Sequence, residues 1–246
     1  MPNKPLHPRA EFVVVLLGGL GLAAAAGFVN SVVIALGTLP VTHLTGTVTR
    51  LSLDLGAGDR ADAVFVAGLV LAFVCGAAVS GVIIGRATLR LGRRYGIAVL
   101  IEAALIGLAA ATIPSSLTAG ALLAASAAGL QNAMASSYRS MIIRTTHVTG
   151  LLTDLGFMAG QLLAGHKVGG WRLLLLVGLL GAFLGGGITG VIAQDRLGHA
   201  AQWIPAASLA LGGACYFAWR LRTTARPDRA STDDAGSRVP PDSRGV

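Results

Sequence analysis

The sequence predicts an all-α membrane protein of six transmembrane helices, arranged as two inverted three-helix repeats, each with a broken or short helix after its first span. Two observations predict this fold. The first is composition: 54% of the 246 residues are hydrophobic and 12% are charged, whereas soluble domains carry about 25% charged residues. The second is an internal duplication. A chain this apolar, with long runs free of charge, is typical of a bilayer protein.

The duplicated element reads Thr-His-Leu-Thr-Gly from Thr42 and Thr-His-Val-Thr-Gly from Thr146, 104 positions later. We call these elements the first and second motifs. The sequence before and after each motif is duplicated too, in residues 26–31 and 128–133 and in residues 76–83 and 185–192. Three matched blocks in one order indicate a duplication of about half the chain each.

The first repeat is predicted over residues 12–113, after a polar N-terminal tail at 1–11 that contains three prolines. About 20 apolar residues suffice to cross a bilayer. By that criterion the spans of this repeat are residues 12–37, 63–85 and 96–113. The short helix of this repeat is predicted at residues 45–57, starting within the first motif.

The second repeat is predicted over residues 117–219, with spans at 117–138, 171–193 and 201–219 and a short helix at 149–165. Residues 220–246 are rich in Arg, Asp, Ser and Pro and hold few large apolar residues. That composition cannot bury enough apolar surface to fold, so we expect a disordered C-terminal tail.

The arginines predict the orientation. The segment between the second and third spans carries four arginines and no acid. Basic loops remain in the cytoplasm, so both termini are expected there. Each repeat has an odd number of spans, so the second must enter the membrane upside down relative to the first. Inverted repeats of this kind are a common transporter architecture, with the binding site between the repeats.

Several function classes are not favoured. The net charge of +8 comes from basic residues in loops and tails, not from a basic face with interleaved aromatics, so no nucleic acid partner is expected. Cys75 and Cys215 lie in apolar runs and are interpreted as small hydrophobes. No nucleophile context, nucleotide-binding glycine pattern or metal-ligand spacing occurs. We therefore expect no enzyme, no catalytic residues, no cofactor and no metal.

The motifs and the amides before them are the candidate substrate-binding residues. A helix N-terminus with free N–H groups attracts anions or polar oxygens, and a broken backbone at membrane depth is tolerated where it lines a cavity. The alternative is that the amides join helices and that Thr45 or Thr149 caps a turn. The candidates are Asn30, Thr42, His43, Thr45, Gly46, Gln131, Asn132, Thr146, His147, Thr149 and Gly150.

Three charged residues are further candidates. Arg50 matches Asp154 in the repeat, so the two could form an ion pair between repeats. The alternative, which we favour, pairs Arg50 with Asp54 at i,i+4 and Asp154 with a nearby arginine. Glu102 lies inside the third predicted span and is a candidate coupling residue, or else an acid paired at the cytoplasmic edge.

Over nearly its whole length except the tails, the chain resembles the YoaK-type proteins, a family of uncharacterised bacterial inner-membrane proteins with about six spans. The resemblance lies in both motifs and in the segments Ala-Gly-Phe-Val-Asn at 26–30 and Gly-Leu-Gln-Asn-Ala at 129–133. It implies a multi-pass location in the bacterial inner membrane and no particular substrate. The family often has Asp at the place of Asn30 and Asn at the place of Thr47. If that Asp carries protons in relatives, the resemblance does not imply a proton-coupled mechanism for this chain.

Together these features predict a transporter or channel for a small polar or anionic solute, with its site between the repeats. The alternative is a non-transporting membrane scaffold or sensor in which the motifs are structural caps. The expected partners are the lipid bilayer, a small solute and, as a candidate, further copies of the chain.

Overall fold

The computed structural model describes residues 8–85, 92–136 and 145–225, and within them all regular structure is helical. Eight α-helices and one 3-10 helix follow one another in these described residues. They are α1 (Pro8–Ala35), α2 (Leu44–Ala57), α3 (Arg60–Ile84), α4 (Arg93–Thr112), α5 (Leu117–Ser136), α6 (Val148–Leu163), α7 (Gly170–Leu197), the 3-10 helix Gly198–Gln202, and α8 (Trp203–Ala225).

Within the part of the chain that the structure describes, four segments are long and apolar enough to cross a membrane. They are Val13–Ala35, Arg60–Ile84, Arg93–Thr112 and Gly170–Arg222, the last of which contains both α7 and α8. Helix α5 is of similar length but carries Gln131 and Asn132 near its end, which lowers its hydropathy. The chain is therefore a multi-pass integral membrane protein.

The helix ends differ from the predicted spans at both termini. Helix α1 begins at Pro8, inside the segment expected to be a tail, and proline is well suited to the first turn of a helix because its fixed φ is already helical. Helix α8 continues past residue 219 to Ala225. Arg220 in that extension is buried, with its guanidinium 5.9 Å from the ring centroid of Trp219. The remainder of the predicted tails, residues 1–7 and 226–246, lies outside the described residues.

Each long helix of one half packs against a long helix of the other half, and we call the α1–α7 and α3–α5 pairs the crosswise pairs. Helix α1 packs mainly against α7, α3 packs mainly against α5, and α4 packs against both α8 and α5. The short helices stay within their own halves, α2 against α3 and α6 against α7. In the duplication, α1 to α4 correspond in order to α5 to α8. The α1–α7 pair is therefore equivalent to the α5–α3 pair, and the α4–α8 pair is equivalent to itself.

Glycines allow the two crosswise pairs to approach closely. A Cβ atom at Gly27 would overlap the carbonyl oxygen of Phe183, and one at Gly186 would overlap that of Ala24. The other pair repeats this arrangement 102 and 110 positions away along its two helices: Gly129 faces the Phe73 carbonyl, and Gly76 faces the Ser126 carbonyl. Small residues at a helix interface let the backbones come into contact. In the packing, Gly76 is therefore equivalent to Gly186, whereas the alignment of the two repeats by sequence matches Gly76 with Gly185.

Candidate functional site

Each motif lies where a long helix ends and a short helix begins, and an amide of the long helix holds the connecting loop. Asn30 is buried near the end of α1, and its Oδ1 accepts hydrogen bonds from the backbone N–H groups of Val41 (3.1 Å) and Thr42 (3.3 Å). A buried N–H left without an acceptor costs about 1–3 kcal/mol. Asn30 therefore stabilises the loop that carries the first motif.

The second motif is held through hydrogen bonds to the side chains of Thr145 and Thr146. The Gln131 amide nitrogen donates to the Leu22 carbonyl and to the Thr145 hydroxyl, both at 2.9 Å. The Thr146 hydroxyl forms a hydrogen bond with Asn132 Oδ1. The amides of α1 and α5 thus perform the same task with different partners, and Gln131 also links the second motif to α1.

The two short helices begin at the motif histidines. His43 is the N-cap of α2 and His147 is the N-cap of α6, and neither forms a side-chain capping hydrogen bond. The expectation that Thr45 or Thr149 would cap these helices is wrong, because each helix begins before its threonine. The carbonyls of Thr45 and Thr149 instead accept hydrogen bonds from the hydroxyls of Thr49 and Thr153 within the helices.

Both motifs line one open cavity of about 1370 Å³, which we call the motif cavity. Eight of the eleven predicted binding residues line it. The other three, Asn30, Gln131 and Thr146, do not line it and instead form the hydrogen bonds described above. The lining residues are Thr42, His43, Leu44, Thr45, Gly46, Phe73, Asn132, His147, Val148, Thr149, Gly150, Thr153, Asp154, Trp171, Arg172, Leu175, Leu176 and Phe183.

Sequence reasoning missed the aromatic and helix-end residues of this lining. Phe73 and Phe183 are 110 positions apart, the same spacing that relates Gly76 to Gly186, so a longer alignment of the repeats would have found them. Trp171 and Arg172 begin α7 beside α6. Their sequence neighbourhood is that of an ordinary helix end and carries no local signal.

His43 occupies the junction between the halves. Its side chain is partly buried, and its ring meets the edge of the Phe183 ring at a centroid distance of 5.3 Å. Burial lowers the pKa of the His43 imidazole below its ordinary value, and the nearby charge of His147 lowers it further. Desolvation disfavours the charged form of a group, so neutral His43 is favoured at neutral pH.

Thr42 carries an unsatisfied polar atom at the cavity. Its side chain is only 3% exposed, and its hydroxyl oxygen is buried without a hydrogen-bond partner. Its counterpart Thr146 has its hydroxyl bonded to Asn132. Because most buried polar atoms in proteins have a partner, the free hydroxyl of Thr42 distinguishes the first motif from the second.

The ion pair between Arg50 and Asp154 is not formed. Arg50 lies 2.7 Å from Asp54 and 3.0 Å from Asp62, and Asp154 lies 3.7 Å from Arg172. The charges pair locally because α2 packs on α3 and α6 packs on α7. The Arg50–Asp62 and Asp154–Arg172 pairs occupy equivalent positions with their signs reversed, and the second pair alone lines the motif cavity.

Glu102 lies away from this site. It is fully buried in α4, with both carboxyl oxygens lacking a hydrogen-bond partner, and it does not line the motif cavity. Its predicted coupling role would therefore have to act at a distance from the motifs. Among the described residues, no three His, Cys, Asp or Glu side chains cluster closely enough to hold a metal ion.

Comparison with known proteins identifies one family. The family model described as "Protein of unknown function (DUF1275)" matches residues 18–215, which include all eight helices in whole or in part and both motifs. No curated protein and no solved structure matches the chain significantly.

Proposed function

We propose that this chain, which belongs to the DUF1275 family of proteins of unknown function, is a transporter or channel for a small polar or anionic solute rather than an enzyme. The observation that carries the proposal is the motif cavity, since one open space of about 1370 Å³ is lined by both copies of the Thr-His-x-Thr-Gly motif. In transporters built from inverted repeats, the substrate site lies where broken helices of the two repeats meet.

The proposal includes a six-span arrangement of two inverted repeats. In it, α1, α3, α4, α5, α7 and α8 cross the bacterial inner membrane, α2 and α6 are the half-helices, and both termini are cytoplasmic. The crosswise packing supports this arrangement, because the α1–α7 pair corresponds to the α5–α3 pair, and the α4–α8 pair to itself, when the halves are exchanged. A YoaK-type identity within the family agrees with the same arrangement.

The hydrogen bonds at the motifs favour transport over the scaffold alternative. That alternative needs the motifs to act as structural caps, but neither histidine side chain forms a capping hydrogen bond. The loops are held by Asn30 and Gln131, which do not line the cavity, and by Asn132, which does. Within the first motif, the Thr42 hydroxyl has no hydrogen-bond partner, and Thr42 lines a space that a solute can enter.

Chemical accessibility in the membrane tests the proposal. Cys75 and Cys215 are replaced by serine, and His43→Cys and His147→Cys are introduced singly. An impermeant thiol reagent is then applied from each side in turn. We expect both positions to react from one shared side, because they line the same cavity, and at least one to become reactive from the other side when conditions change. Leu71→Cys, whose side chain is exposed in the middle of α3, is the control that should face lipid and not react.

The contrary result would be equally clear. If His43→Cys reacts only from outside and His147→Cys only from inside, readily and under all conditions, then the motifs are turns at opposite surfaces. The transport proposal then loses its main support, and the scaffold or sensor alternative is favoured.

A further inference from the structure

The motif cavity is bordered by the N-terminal ends of two helices at once. Helices α2 and α6 are 14 and 16 residues long, and both begin at the cavity. The first N–H groups of a helix have no partner within the helix. Neither N-cap histidine bonds these groups through its side chain, although the Val148 N–H of α6 donates to the Thr146 carbonyl at 3.1 Å. Each helix N-terminus carries about half a positive charge, so two such ends raise the potential of one shared space.

The hydroxyl of Thr42 is an independent observation at the same place. It is buried, has no partner, and belongs to the residue just before the N-cap of α2. Its backbone N–H is already bonded to Asn30. A solute oxygen that reached the start of α2 could accept a hydrogen bond from this hydroxyl as well as from the helix.

The charges that line the motif cavity do not oppose an anion. The titratable lining residues are His43 on α2, His147 on α6, Asp154 on α6 and Arg172 on α7. Asp154, the one carboxylate of this lining, is paired with Arg172 at 3.7 Å. A cation would therefore meet two positive helix ends and no free carboxylate.

From this arrangement we infer that the motif cavity binds an oxyanion group, either a carboxylate or an inorganic oxyanion, between the N-termini of α2 and α6, with Thr42 as an additional donor. This inference rests on the proposed function and specifies its solute. An oxyanion suits the site because its several oxygens can accept hydrogen bonds from both helices and from the hydroxyl together. Anion sites at helix N-termini are built from these same groups.

Ligand-dependent thermal stability of the purified full-length protein in detergent tests the inference. Sodium acetate, nitrate and phosphate are titrated separately against sodium chloride at constant ionic strength, and acetamide and methylammonium chloride serve as neutral and cationic comparisons. We expect a saturable rise in melting temperature with at least one oxyanion and none with acetamide or methylammonium. Acetate alone would indicate a carboxylate solute, whereas nitrate or phosphate alone would indicate an inorganic one.

Two variants place the binding in the motif cavity. Thr42→Val removes the unpaired hydroxyl while keeping the shape, and it should weaken oxyanion binding about tenfold, as expected for a lost hydrogen bond to a charged group. Leu44→Pro removes one N–H at the first position of α2, where proline is tolerated, and should weaken binding similarly. Leu53→Ala, at an exposed position of α2 that does not line the motif cavity, is the control, with affinity close to that of the wild type.

The outcomes separate this inference from the proposed function. Saturable stabilisation by methylammonium or acetamide, or by no oxyanion at all, would overturn the oxyanion assignment, as would an oxyanion effect that both Thr42→Val and Leu44→Pro leave unchanged. Neither result would alter the accessibility of residues 43 and 147 from the two sides, on which the transport proposal depends. Conversely, oxyanion binding with invariant one-sided accessibility would leave a binding protein without transport.

Discussion

At the scale of the residue, the hydrogen bonds of Asn30 show what its position requires of a side chain. The structure uses only the side-chain oxygen, which accepts from two backbone N–H groups at 3.1 and 3.3 Å. Asn and Asp both provide that oxygen. Either residue can therefore hold the loop, and this task does not require a group that carries a proton.

His43 makes stability depend on pH. In the unfolded chain a histidine takes up a proton below about pH 6.5. In the folded protein burial and His147 lower the pKa of His43, so the unfolded state binds more protons as the pH falls below that value. Stability should therefore decrease as the pH falls from 7.5 to 5.5. Thermal unfolding in detergent across this range should show a smaller decrease for His43→Gln than for the wild type.

The control for this prediction is His166→Gln, because His166 is exposed in the α6–α7 loop. It should keep the pH dependence of the wild type. If His43→Gln and the wild type lose stability equally on acidification, burial of His43 is not the cause of the effect.

At the scale of the element, adjacent glycines of α7 have opposite roles. A Cβ at Gly186 would overlap the backbone of Ala24 in α1, whereas one at Gly185 would meet nothing within 4 Å. Gly186→Ala should force the α1–α7 pair apart and destabilise the protein by about 1–3 kcal/mol, as overpacking does. Gly185→Ala should be neutral or stabilising by up to about 1 kcal/mol, because alanine favours the helix. Unfolding in mixed detergent micelles measures both.

The same test in the other half checks whether the crosswise pairs are equivalent. Gly76→Ala, which meets the Ser126 carbonyl on α5, should behave as Gly186→Ala does. A neutral Gly76→Ala beside a destabilising Gly186→Ala would show that the two pairs do not pack alike.

At the scale of the whole molecule, the inverted arrangement that we propose predicts that corresponding loops lie on opposite sides of the membrane. Arg60 at the start of α3 and Lys167 before α7 are both exposed and follow equivalent short helices. In a background without Cys75 and Cys215, an impermeant thiol reagent should label Arg60→Cys only from outside the cell. It should label Lys167→Cys only from the cytoplasmic side. Labelling of both from the same side would exclude inverted repeats.

Much of the fold could be predicted because its signals are local. Hydropathy identifies helices that need only their own backbone hydrogen bonds in lipid, and the repeat identified α2 and α6 through the motifs that precede them. The ion-pair partner of Arg50 was harder to predict from the sequence. Its match to Asp154 is a relation in sequence, but contact requires proximity, and the packing of α2 on α3 brings Asp54 and Asp62 to it instead.

The sequence by itself determined that the protein is an apolar, helical membrane chain built from a duplicated half, with polar motifs after the first long helix of each half. These properties follow from composition and periodicity, which a single helix carries without its neighbours. Only the tertiary structure decided that α1 packs on α7 and α3 on α5, and that His43 and His147 line one cavity while Glu102 does not. Those facts depend on glycine contacts between residues at least 50 positions apart. Close packing selects partners by surface shape, and one helix read alone does not reveal which surface it will meet.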